Sequence, residues 1–365
     1  DLHKAIRRQR QMCIRDRKVA LSAVGTTGAR ANLAAEAAGR SFDELAAAAR
    51  DKWHNEMGLI EAEGDEDALR MLYTSLYHTM INPSVYQDID GRYRGLDHEI
   101  HQAAAGDTNY TVFSVWDTYR ALHPLFNLIC RERSRDIVGS MLTHCDQSVH
   151  RMLPVWSHMG NENWCMIGYH GVSVVGDALD KGVAIDPAHA LDAMVSSANC
   201  DYYDATGVYK RLGYVPFDVR STGSSMTLEY AYDDYCIAQA ARALGKKEDY
   251  DYFLRRSLSY RNLIDPETKF MRGRDSKGHW RTPFTPVAYQ GPGSVHGWGD
   301  ITEGFTLQYT WYVPHDVAGH IDRVGRKLYE TRLDSLFVTE LPDDIPGAHL
   351  SLIHISEPTR LDVIS

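Results

Sequence analysis

Apolar positions along this chain recur at helical spacing through most of its length, and the breaks between them carry capping chemistry. Ser41-Phe42-Asp43-Glu44 has the form of a capping box, a hydroxyl followed three residues later by a carboxylate, and predicts a helix reaching about Trp53. Asp65 can cap a second helix with Leu69, Leu72, Tyr73, Leu76 and Met80 on one face, stopped at Asn82-Pro83. Val112 to Cys130 and Asp136 to His150 read as two further helical segments. Glu162 to Leu179 follows, with Cys165, Met166, Tyr169, Val172 and Gly176 at helical spacing. Asp186-Pro187 pairs an N-cap with a first-turn proline and opens a helix to about Ala198. Ser225 to Leu244 is a long helix ended by Gly245, and Tyr250 to Leu263 another, ended by Asp265-Pro266. Glycine-rich turns fill Phe270 to Gly299, and helical pattern resumes near Thr302.

Strand signal is almost confined to Lys18-Val19-Ala20-Leu21-Ser22-Ala23-Val24-Gly25, which looks like the last strand of something upstream. Long helices joined by irregular loops predict a mostly α fold, and without a strict repeat an α/α toroid is favoured over a solenoid. Carboxylates recur at the ends of alternate helices, which would gather them at one mouth of such a barrel.

Composition narrows the class. The 365 residues are 44% apolar and 24% charged, as in one large globular domain or two small ones. A formal charge of −10 and a pI near 5.9 argue against nucleic acid as a partner. No apolar run approaches a membrane span. Cys13, Cys130, Cys145, Cys165, Cys200 and Cys236 are scattered and read as thiols, with one bridge left open. The two ends look foreign. One coding string for Met12-Cys13-Ile14-Arg15-Asp16-Arg17 has a reverse complement that encodes Leu350-Ser351-Leu352-Ile353-His354 and begins an Ile codon. Complementary translated ends are expected of sequencing-adaptor DNA, so residues 1–17 and 350–365 are set aside as artefacts. The compartment is therefore not readable from a leader.

The candidate chemistry is acid beside flat rings, as a sugar-cleaving pocket requires. Rings cover the apolar face of a pyranose, while carboxylates bind its hydroxyls and move protons. Glu303, after a flexible loop and beside Phe305, is the main candidate for a protonated carboxyl, against a first-turn glutamate favoured by the helix dipole. Asp117 can pair with Arg120 or accept from two neighbouring sugar hydroxyls, and Glu162 can cap its helix or contact ligand. Asp233-Asp234 are about 100° apart on a helix, so at most one is expected to point inward, in a structural role. Metal signals are weak: Asp88-Ile89-Asp90-Gly91 begins like a calcium loop but lacks the later acceptors and distal glutamate.

Several ordered motifs together resemble glycoside hydrolase family 92. They are Tyr73-Thr74-Ser75-Leu76-Tyr77-His78-Thr79-Met80, Asp88 to Gly95, Phe113 to Pro124 with Val115-Trp116-Asp117-Thr118, Gly160-Asn161-Glu162 with Cys165 to His170, Thr227 to Asp234, Phe270 to Arg274, and Thr302 to Asp316. The resemblance implies a calcium-dependent (Ca2+) exo-α-mannosidase acting with inversion on α-linked mannose of N-glycans or mannans. It implies a secreted, periplasmic or cell-surface parent, and an N-terminal β-sandwich followed by an (α/α)6 barrel. Residues 18–40 would end the sandwich, and residues 41–349 would form an incomplete barrel. By the same resemblance Glu303 is the general acid, Asp117 holds the terminal mannose, and Trp116 and Glu162 line its pocket.

The sequence also departs from the family pattern. Phe305-Thr306-Leu307 stands where Asn-Ala-Trp is expected after Glu303-Gly304. The family's catalytic-base aspartates, its specificity segment and its main calcium ligands are expected downstream of Asp316 and are not found. The chain alone is therefore expected to be inactive, a truncated fragment of an active parent. Another (α/α)6-barrel glycosidase, or a non-catalytic glycan-binding or scaffold protein, are the alternatives.

Overall fold

Caps decide where the first helices begin. The computed structural model describes residues 18–287 and 299–339. Helix α1 is Thr26–Glu36 and α2 is Phe42–Met57. At the start of α2, Ser41 Oγ accepts from the Glu44 N–H at 3.3 Å and the Glu44 carboxylate accepts from the Ser41 N–H at 2.6 Å, as the capping box requires. Asp65 accepts from the N–H groups of Asp67 and Ala68, opening α3, Glu66–Thr79. Each such cap is worth about 1 kcal/mol.

The expected strand over Lys18 to Gly25 is not found. Val19 and Leu21 are exposed and pair with no strand among the described residues; Asn32 of α1 instead bonds the Leu21 carbonyl and the Asp88 carboxylate, both at 2.9 Å. The expected artefact segments 1–17 and 350–365 lie outside the described residues.

Between residues 84 and 162 the chain makes short antiparallel pieces that the helical reading did not anticipate. Strand β1 (Ser84–Val85) pairs with β4 (Tyr110–Thr111), and β2 (Arg92–Arg94) with β3 (Ile100–Gln102). Strands β5 (Phe113–Ser114), β6 (Trp156–His158) and β7 (Asn161–Glu162) form one sheet, with Phe113 opposite Ser157 and Ser157 opposite Glu162. Two or three residues carry too little alternation to be read as strands. Val112 to Cys130 is thus not one helix but β5, a single turn α4 (Val115–Thr118), and α5 (Leu122–Ile129). Helix α6 follows as Arg131–Gln147. The helix expected from Glu162 begins only at Gly171, as α7 (Gly171–Asp180), because Trp164, Met166 and Gly168 hold left-handed backbone that a right-handed helix cannot contain.

The second half follows expectation more closely. Asp186 caps α8 (Pro187–Asn199), and α9 is Thr206–Leu212. Helix α10 (Gly223–Ala243) packs against α7, α8 and α11 (Lys247–Arg256), and against the 3-10 turns Ser257–Leu263 that continue α11. After the loops come α12 (Thr306–Tyr309), α13 (Val317–Val324) and α14 (Arg326–Val338). Helix pairs packed around α10 make the fold mostly helical.

Most of helix α10 is buried, so the polar residues on its buried faces must find partners inside the protein. Both Asp233 and Asp234 are 0% exposed, which corrects the expectation that at most one points inward. Asp234 does have the structural role. It pairs with Arg256 at 2.7 Å and accepts from Tyr169 and Tyr209 hydroxyls at 2.8 and 2.9 Å. The described cysteines are free thiols, and no described helix is long and apolar enough to cross a membrane.

Candidate active site

Left-handed backbone at non-glycine residues marks several of the segments that carry the expected site residues. Val112 (φ 66°), Trp164 (φ 54°), Met166 (φ 68°), Thr222 (φ 61°) and Glu303 (φ 47°) flank β5, β7, the start of α10 and the start of α12. Each costs of order 1–2 kcal/mol, and persists only where surrounding bonds over-determine it. Those bonds are present. The Val115 N–H donates to the Val155 carbonyl at 3.2 Å, joining the Trp116-Asp117 turn to the β6–β7 hairpin.

The Glu303 loop is pinned to the N-terminus of α10. The Thr222 N–H donates to the Gly299 carbonyl at 2.6 Å, and the Ser224 N–H to the Asp300 carbonyl at 3.0 Å. The Thr302 N–H donates to Ser225 Oγ at 3.0 Å. The Asp300 carboxylate takes both Nε and Nη2 of Arg281, at 2.7 and 2.5 Å, and fits only because position 273 is glycine: a Cβ there would lie 2.4 Å from Asp300 Oδ2. Glu303 is half-buried and precedes α12, whose N-cap is Phe305. It is therefore not the first-turn glutamate of the alternative reading.

Beneath this loop lies a buried hub on α10. Glu229 is 0% exposed. Its Oε1 accepts from Trp116 Nε1 at 3.2 Å and from the Tyr309 hydroxyl at 3.1 Å. Its Oε2 accepts from the Tyr119 hydroxyl at 3.4 Å, and that oxygen in turn touches the Tyr312 hydroxyl. His170 stands between Glu229 and Asp233, one turn apart on α10. Its Nδ1 is 2.7 Å from Asp233 Oδ1, and its Nε2 is 3.0 Å from Glu229 Oε2. The second contact lies off the N–H direction, so it is an ion pair more than a directed hydrogen bond. Arg120 Nη2 approaches Glu229 at 3.6 Å, and its guanidinium lies over the rings of Trp116, Tyr119 and Tyr312.

The hub's charges balance. Burial alone would push His170 down, but Asp233 and Glu229 lift it to about 9, so it is an imidazolium at neutral pH. Burial raises Glu229, and His170 and Arg120 overcome it, to about 2. Burial raises Asp233 to about 6, opposed by His170. Two carboxylates and two cations leave the group neutral near pH 7, which is what allows four charges to be buried together.

The structure thus places the expected residues at unequal depth. Asp117 is half-buried, and its Oδ2 accepts from Ser114 Oγ at 2.5 Å. Trp116 is only 2% exposed and points its N–H down to Glu229, so it offers little ring surface to a ligand. Glu162 binds its own hairpin: its carboxylate accepts from the N–H groups of Val155, Trp156 and Trp164 at 3.0, 2.8 and 3.0 Å. Burial pushes the Glu162 carboxyl up, opposed by those three bonds. Arg120, an expected partner for Asp117, turns its guanidinium to Glu229. Sequence reasoning assigned no individual role to Glu229, His170, Tyr119, Tyr309 or Tyr312, although all five lie in the motifs that carry the family resemblance.

Comparison with known proteins decides the family. The model of the glycosyl hydrolase family 92 catalytic domain matches residues 28–359. The chain belongs to glycosyl hydrolase family 92. A solved family 92 α-mannosidase from Bacteroides thetaiotaomicron, in complex with mannoimidazole, is similar at 60% identity and a TM-score of 0.86, over 90% of this chain and 43% of that one. A second from Bacteroides thetaiotaomicron, described as an inverting mannosidase, is 33% identical with a TM-score of 0.78, over 86% of this chain and 43% of that one. An uncharacterized secreted glycosidase of Arthroderma benhamiae is 24% identical over 81% of this chain and 38% of its own length. The chain therefore spans about two-fifths of the length of these family 92 relatives.

Calcium, which family 92 membership brings into question, finds no fit among the described residues. Among the described residues no group of three or more His, Cys, Asp or Glu could hold a metal ion. In the Asp88 to Gly91 turn, Asp88 is occupied by Ser22 and Asn32, and Asp90 by Arg92. No chemical step is assigned to a metal.

Proposed function

We propose that this chain supplies the proton donor and the sugar anchor of an exo-acting, inverting α-mannosidase, one that removes terminal α-linked mannose from N-glycans or mannans. The observation that carries this is Glu303. It is a half-buried carboxyl on left-handed backbone, in a loop tied at several points to the start of α10, in a chain 60% identical to a solved α-mannosidase. Helix pairs around α10 fit an arc of an (α/α)6 barrel, with the Asp117 and Glu303 segments at one mouth. A secreted parent agrees with the secreted glycosidase among the relatives.

In this reading Glu303, protonated, gives its proton to the departing glycosidic oxygen as the bond to the anomeric carbon breaks. Asp117 accepts hydrogen bonds from hydroxyls of the terminal mannose. Glu162 walls the pocket through its braced hairpin, and Trp116 seats Asp117 from below. Inversion needs a second carboxylate about 6.5–9.5 Å from the first to activate water. That role is assigned to aspartates the family resemblance places beyond Asp316.

A mannose-release assay tests the acid assignment. A protein containing this chain should hydrolyse an aryl α-mannoside and lose roughly 10²–10⁴-fold in kcat on Glu303→Gln. Full activity of the Glu303→Gln variant would overturn the acid assignment.

A further inference from the structure

We propose that Glu229 is a positioning residue that sets the spacing between the Asp117 segment and the Glu303 segment, acting through Trp116 and Tyr309. This inference rests on the mannoside-site reading above. Asp117 and Glu303 are far apart in sequence and lie on different loops, yet an exo-glycosidase needs its sugar anchor and its proton donor at a fixed separation. A displacement of about 1 Å costs on the order of 10²-fold in rate. One buried carboxylate joins the two segments. Glu229 Oε1 accepts from Trp116 Nε1, beside Asp117, and from the Tyr309 hydroxyl, at the end of the turn that follows Glu303. Burial raises the Tyr309 phenol well above its usual range, Glu229 adds to the rise, and Glu303 adds a smaller part, so the hub and the acid are electrostatic neighbours.

The other oxygen repeats the arrangement. Glu229 Oε2 accepts from Tyr119 on the first segment, whose hydroxyl touches that of Tyr312 on the second. Because an ionised carboxylate can only accept, every hydroxyl and N–H bonded to it must donate, which fixes their direction. Tyr119 therefore donates to Glu229, and its hydroxyl touches that of Tyr312. His170, Arg120 and Asp233 are the charged groups facing Glu229, and the two cations hold it ionised. Asp234, on the same helix, makes a comparable buried ion pair with Arg256 but touches neither segment. It provides the control for a role confined to folding.

The test uses the 365-residue chain with 15N-labelled indole groups on its seven tryptophans, the Trp116 signal assigned by Trp116→Phe. Methyl α-D-mannopyranoside is the probe. Glu229→Gln should move the Trp116 indole signal and weaken mannoside binding roughly tenfold. Tyr309→Phe, a milder change that keeps the carboxylate and the fold, should move the same signal and weaken binding roughly threefold. Asp234→Asn should lower thermal stability while leaving the Trp116 signal and the affinity unchanged. A Trp116 signal indifferent to Tyr309→Phe overturns the tie, whatever the sugar does. Unchanged binding by Glu229→Gln overturns the positioning role and leaves the mannoside site standing. No binding by the unsubstituted chain overturns the mannoside-site reading itself, and the indole comparison still decides whether the tie exists.

Discussion

Replacing His170 by glutamine should remove a stabilisation that depends on charge, with a defined pH window. The imidazolium lies between Asp233 and Glu229 and stacks on Tyr119 with ring centres 4.0 Å apart, and it is 1% exposed. Glutamine keeps polarity and approximate volume but leaves two carboxylates one turn apart with only Arg120 to offset them. Two routes give the size. Breaking a buried ion pair by removing one partner costs about 3–5 kcal/mol. The difference between an ordinary His at 6.5 and one held at about 9 corresponds to roughly 3 kcal/mol. A raised folded pKa gives stability that is fully present below pH 6.5 and is lost as pH rises through about 9. Urea unfolding of both proteins at intervals from pH 6 to 10 checks this. The gap should be about 3 kcal/mol at pH 6 and close progressively above pH 7. Groups remote from His170 cancel in the difference, whereas Asp233 and Glu229 lose the cation that holds them down, so a gap that stays flat across this range would refute the electrostatic account and leave only ring packing.

Other outcomes follow from the same geometry. Asp117→Asn should weaken methyl α-mannoside binding roughly tenfold by calorimetry, since an amide can turn its donor end toward a sugar hydroxyl; equal affinity would remove Asp117 from the site. Arg256→Met should cost about 3–5 kcal/mol in urea unfolding, because Asp234 would be left buried without its cation, and a loss below about 1 kcal/mol would contradict the pairing. Burial lowers His123, His144 and His320 to about 4, so they contribute stability that is complete above pH 6.5 and declines as pH falls through about 4. Thermal melts should fall across that interval, and His320→Phe should flatten part of the fall; an unaltered slope would exclude His320 as a source.

Local chemistry was legible wherever it was self-contained. Ser41, Asp65 and Asp186 cap their helices as expected, because a cap needs only the next three residues. The break between Glu162 and Gly171 was hidden for the opposite reason. Trp164 and Met166 have ordinary helical propensity, and only contacts from elsewhere hold them in left-handed backbone. Glu162 was read as a cap or a ligand contact, and it turned out to brace a hairpin too short to show a strand pattern.

The hub under the site presents a more instructive case, because part of its demand was visible in the sequence. Glu229 and Asp233 lie four residues apart in a run otherwise made of Tyr230, Ala231 and Tyr232, with no lysine or arginine within a turn to pair them. Like charges at that spacing repel on any helix and more strongly in a buried one, so the pattern requires cations delivered by other elements. It could not say which. His170 arrives from a turn before α7, and Arg120 from the segment that carries Asp117. An acid that exists only to be surrounded looks, in one dimension, like an acid that exists to react. What separates Glu229 from Glu303 is burial: Glu229 is fully buried, saturated with donors and held far below the range of a proton donor, while Glu303 is half-buried. A catalytic acid must give up its proton to substrate, and a carboxylate at about 2 has none to give at neutral pH.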